Sequence, residues 1–103
     1  MVILTLVVRP EVDGDLLEAE KWYDQQEPGL GQKFLRDVVE TIDRLLQNPF
    51  LYYVRHGQRQ VRWVYTRRFP YRVIFRVTGN TVIVYAVIHG ARQDSNWKTR
   101  LDP

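Results

Sequence analysis

Eight arginines, Arg55, Arg59, Arg62, Arg67, Arg68, Arg72, Arg76 and Arg92, fall between Leu51 and Gln93, a stretch that holds no Asp or Glu. Guanidinium groups with no carboxylate base beside them suit the recognition of an anion. If they take part in a reaction, it is phosphoryl transfer on a polyanion, with arginines holding the phosphate and countering the charge that develops in the transition state. The plainer alternative is a basic face that is merely solvated. His89 closes a strand-like run just before Gly90-Ala91-Arg92. It is placed either to carry a proton near neutral pH or to satisfy a backbone carbonyl. Trp63, Tyr65 and Trp97 could stack on an unpaired base, although aromatics in a strand more often pack.

Other chemistries are poorly served. The chain has no cysteine, which removes thiolate catalysis, zinc–thiolate sites and disulfides. Its two histidines, His56 and His89, are 33 positions apart and form no ligand pair, so neither a metal nor a cofactor is expected. His56 stands beside Gly57 with no carboxylate near it in sequence. Gly29-Leu30-Gly31 lacks the Lys-Ser/Thr of a phosphate loop and joins two helical patterns.

The arginines need a scaffold, and the stretch from Gln60 to Trp97 supplies one. Val61–Arg67, Tyr71–Thr78 and Thr81–Ile88 are rich in Val, Ile, Tyr, Phe and Trp, broken at Arg68-Phe69-Pro70 and at Gly79-Asn80. They predict a three-strand antiparallel meander. On its middle strand Tyr71, Val73, Phe75 and Val77 share one face, expected to be core. Arg72, Ile74, Arg76 and Thr78 share the other, expected to be the basic surface.

The first half reads differently. MVILTLVV is too short for a membrane span and lacks the cationic lead of a signal peptide, so Val2–Val8 is expected as a buried strand. Val12, Leu16, Ala19 and Tyr23, with Trp22 beside them, mark a helix over Glu11–Glu27 that ends at Pro28-Gly29, with Gly31 allowing a tight reversal. Phe34, Val38, Ile42 and Leu45, widened by Leu35, Val39 and Leu46, mark a second from Leu30 to Leu46, stopped by Asn48-Pro49. Phe50–Arg59 is expected as a connector with Tyr52 and Tyr53 packed over the helix end. Residues 1–50 carry ten acids against five bases; residues 51–103 carry ten bases against two acids. Acidic helices thus lie beside a positive sheet. A single α+β domain spanning 1–103 is expected, with the helical hairpin on one face of an antiparallel sheet made of the first strand and the meander.

The succession of an N-terminal strand, EAEKWYDQQEPGLGQKFL, VRWVYTRRFPYRVIFRV, VIVYAVIHGAR and Trp97 resembles the RelE/ParE family of toxins from bacterial type II toxin–antitoxin systems over nearly the whole chain. That resemblance implies a cytoplasmic protein that inhibits growth, is neutralised by a cognate antitoxin wrapping its working surface, and reaches operator DNA only through the antitoxin complex. RelE-like members cleave mRNA on the ribosome. For that activity the resemblance points to Arg72, Arg92 and, as a substitute acid–base, His89. The family's paired strand lysines fall at about Trp63 and Tyr65, and its tail acid close to Trp97-Lys98, none of which replaces them. ParE-like members instead poison DNA gyrase by binding it, and the acidic hairpin with its WYDQQEPGLG turn looks more like that branch. Arg62, Arg67, Arg76 and Trp97 are the residues expected to meet the target or the antitoxin.

Overall fold

The computed structural model describes residues 3–92 and 95–101, the side chains of His56, Ser95 and Asn96 apart. Its elements are β1 (Thr5–Val8), α1 (Glu11–Gln26), α2 (Leu30–Gln47), β2 (Val54–His56), β3 (Val61–Tyr65), β4 (Tyr71–Thr78), β5 (Thr81–His89) and the one-turn α3 (Ser95–Lys98). The strands form one sheet in the order β1-β5-β4-β3-β2. The α1–α2 hairpin lies on one face of it, an α+β arrangement.

The expected meander is β3–β4–β5, antiparallel throughout. β1, however, runs parallel to β5, Thr5 opposite Thr81 and Val8 opposite Val84, so the sheet is mixed. β1 is also an edge strand, and all four of its residues are exposed rather than buried; Val2 lies outside the described residues. The connector holds two one-turn 3-10 helices around β2, a fifth strand that periodicity alone does not reveal in three residues. Tyr52 does pack inward, its ring 6.2 Å from that of Phe75, but Tyr53 is exposed.

The hairpin reverses at Gly29, whose φ of 88° is left-handed, and not at Gly31. Gly31 serves a different purpose. It is buried where α2 crosses α1, its N–H donating to Asp24 Oδ1 at 2.8 Å, and an added Cβ would stand 2.7 Å from the backbone oxygen of Glu20.

The main core lies between hairpin and sheet. Val12, Ala19 and Tyr23 of α1 and Phe34, Val38 and Leu45 of α2 meet Val73 and Phe75 of β4 and Val82, Val84 and Val87 of β5. Burying each of the larger side chains contributes about 1.5–3 kcal/mol. A second, smaller core occupies the opposite face: Val61, Ile74, Ala86, Ile88 and Trp97, with Trp63 and Leu101 at its margin. The face expected to be a basic surface is therefore partly covered, because the chain after β5 folds back across it. The register slips between Ile74 and Phe75, leaving Tyr85 as the extra residue of β5. That bulge frees the N–H of Val87 to donate to Asp15 Oδ2 at 3.0 Å.

Candidate functional site

Alternation along β4 and β5 decides where the candidate residues point. Tyr71 sits opposite His89 and Arg72 opposite Ile88. Tyr71 packs against the helix-side core, with its ring 5.4 Å from the His89 imidazole, edge to face. Arg72, the next residue, points through the other face, where Ile88 belongs to the second core. Arg72 and His89 thus lie on opposite sides of the sheet.

Arg72 is 4% exposed. Its Nη2 donates to the carbonyl of Arg92 at 2.7 Å, and its guanidinium carbon lies 4.8 Å from the centre of the Trp63 ring. Trp63 meets Trp97 edge to face at 6.0 Å, and Trp97 is completely buried. A guanidinium held this way closes the turn after β5 against the sheet.

On the helix side, His89 Nδ1 accepts from the Ala91 N–H at 3.0 Å, which makes Nε2 the protonated nitrogen of the neutral ring. The Arg92 side chain turns back to α1 and donates to Glu18 Oε1 at 3.0 Å. Here α1 and the ends of β4 and β5 border an open groove of about 760 Å3, with Trp22, Tyr71, His89, Lys21 and Arg92 among its walls. Burial pushes the Tyr71 hydroxyl's pKa up; Arg92 lowers it and Glu18 raises it.

The remaining arginines divide. Arg62 is half-buried, its Nη1 donating to the Tyr52 carbonyl at 2.6 Å and its guanidinium 5.2 Å from the Phe50 ring. Arg67 is exposed, and half-buried Arg76 lies 6.0 Å from the Tyr85 ring. Arg55 covers both Tyr53 and Trp63, at 5.4 and 5.7 Å. Tyr65 is exposed. The His56 side chain lies outside the described residues. Among the described residues no group of three His, Cys, Asp or Glu side chains could hold a metal ion, and no helix is long and apolar enough to cross a membrane.

The helical pattern of α1 turns Glu11, Asp15, Glu18 and Lys21 to water, which holds for Glu18 but not for Asp15, whose side chain is only 11% exposed, and it carries no expectation for Asp37. Asp15 accepts from both terminal guanidinium nitrogens of Arg100, Glu18 accepts from Arg92, and buried Asp37 accepts the Arg68 N–H at 2.8 Å, tying α2 to the β3–β4 turn. A signal for two of them was available. Asp15 stands three residues after Val12 and four before Ala19, and Asp37 three after Phe34 and four before Thr41, so both lie on the buried stripe of their helix.

These features describe a small α+β domain with no assembled acid–base centre around Arg72 and with arginine–aromatic pairs across one sheet face. A family model, the ParE toxin of the type II toxin–antitoxin system parDE, matches residues 6–94. The chain belongs to that family. In fold it is similar to a chain of the chromosomal ParDE toxin–antitoxin system from P. aeruginosa, with a TM-score of 0.75 and 22% identity over 86% of this chain and 98% of that one. No curated protein matches it in sequence.

Proposed function

We propose that this ParE-family chain inhibits growth by binding an essential target, DNA gyrase, in the cytoplasm, and that a cognate antitoxin neutralises it. The observation that carries the binding reading is the separation of Arg72 from His89. A ribonuclease built on Arg72, Arg92 and His89 needs all three near one phosphate, but the Arg72 guanidinium is held by the Arg92 carbonyl and the Trp63 ring. The imidazole, on the far face, packs against Tyr71. Nothing replaces the missing strand lysines and tail acid, since Trp63 and Trp97, which stand near their places, pack on each other.

The purified chain tests this directly. Gyrase supercoiling is expected to fall, or cleaved plasmid to accumulate, with the chain present, while toeprinting on ribosomes shows no new message ends. His89→Gln is expected to leave toxicity unchanged, because no proton transfer depends on it. Codon-specific message cleavage that is lost in His89→Gln would overturn the proposal.

A further inference from the structure

Among the described residues the most exposed run of large apolar side chains is Phe50, Leu51 and Tyr53, which are 61%, 72% and 75% exposed. The exposure is built in. Pro49 is buried and the Tyr52 ring reaches Phe75, so the residues between and after them are turned outward. Arg62 fixes one end of the run, holding the Tyr52 carbonyl and lying against the Phe50 ring. Directly after it comes β2, with Val54 exposed and Arg55 against Tyr53. β2 is the last strand on its side of the sheet, and among the described residues no strand lies beyond it. An apolar patch beside an open strand edge is a template for an extended peptide: the free backbone groups supply hydrogen bonds and the side chains supply pockets.

We propose that the antitoxin seats an extended, acid-bearing segment along the outer edge of β2, over Phe50, Leu51 and Tyr53. This rests on the reading of the chain as an antitoxin-bound toxin. Charge selects the occupant. No acid lies between Leu51 and Gln93, and Arg55 and Arg59 flank the edge, so an incoming strand with acids is attracted. A second copy of the chain would bring the same arginines and be repelled. Nucleic acid satisfies the arginines but leaves Leu51, Val54 and the strand's backbone row unused.

The test uses the full chain produced together with its antitoxin. Hydrogen exchange at residues 53–56 is expected to slow in the complex relative to the free chain. Tyr53→Asp and Arg55→Glu, each first confirmed as folded by a thermal melt of the free chain, are expected to weaken antitoxin binding about tenfold or more, with the Arg55 effect shrinking at high salt. A complex that forms with unchanged exchange at 53–56, and with variants binding as tightly as the parent, overturns the seat and leaves the toxin reading standing. Failure of the folded chain to bind the antitoxin at all removes both. Protection of 53–56 by a twelve-residue oligouridine, or by dimerisation of the free chain, with the antitoxin bound elsewhere, also overturns the seat.

Discussion

The Arg100 guanidinium grips both carboxylate oxygens of Asp15, Nη1 to Oδ2 at 2.7 Å and Nη2 to Oδ1 at 2.9 Å, across 85 positions of sequence. Arg100 Nη1 also donates to the Tyr85 carbonyl at 3.1 Å, so one side chain ties the end of the described chain to α1 and to the β5 bulge. Both partners are largely buried, and their hydrogen bonds raise the Arg100 pKa further. Arg100→Ala is expected to cost about 1.5–3 kcal/mol, the range for hydrogen bonds to charged groups. Arg100→Lys should recover only part, because an ammonium cannot span two oxygens as a planar fork does. Urea denaturation followed by circular dichroism measures both.

Substitutions in the two faces of the sheet should separate folding from surface. Phe34 is fully buried and packs against Tyr71 and Phe69 at 4.8 and 5.5 Å, so Phe34→Ala is expected to lose about 3–5 kcal/mol. Arg76→Ala loses the contact of a half-buried guanidinium with the Tyr85 ring and is expected to cost about 0.5–1 kcal/mol. Thermal melts of the two variants decide the matter.

Two glycines of the hairpin predict opposite signs. At Gly31 a methyl would meet the Glu20 backbone oxygen, which cannot swing aside, so Gly31→Ala forces α1 and α2 apart and is expected to cost about 1–3 kcal/mol. At Gly14, within α1, nothing lies within 4 Å of the added carbon. Gly14→Ala is therefore expected to gain about 0.4–1 kcal/mol from reduced freedom of the unfolded chain. Chemical denaturation of the pair tests the sign of each.

Alkaline pH should unfold the protein early. Burial raises the pKa of Tyr23 and of Tyr71 above the ordinary 10.0, and each tyrosine's folded state therefore holds its proton more tightly than the unfolded state. The stability this contributes is complete below about pH 10 and declines as pH rises beyond it. Tyr23→Phe and Tyr71→Phe should flatten that decline without altering the neutral-pH plateau in the same proportion. Urea midpoints collected from pH 8 to 11 provide the measurement.

The helices and the meander were legible because each repeats a period long enough to read. Phe34, Val38 and Leu45 recur down one side of α2, and Tyr71, Val73 and Phe75 alternate along β4. What escaped had no local signal. The direction of β1 depends on which distant strand it meets, and three-residue β2 is shorter than any alternation. Arg72 is covered by the Trp63 ring and by the Arg92 carbonyl of the turn after β5, so a middle-strand arginine that reads as surface is buried. Arg72 and His89 looked like neighbours in function because both adjoin the same strand ends. The pleat separates them, and only the pairing of Tyr71 with His89 shows it.

The parallel pairing of β1 with β5 has a consequence for how the chain is made. Thr5 emerges from the ribosome long before Thr81, its partner 76 positions later. During that interval the apolar Leu-Val-Val of β1 has no ladder to join, and closing so long a loop carries an entropic cost that local hairpins avoid. The β3–β4–β5 meander and the helical hairpin can assemble from neighbouring segments, whereas β1 must wait. The sheet is thus completed on its β1 edge by its oldest residues, which find their partners only once Thr81–Val84 has been made.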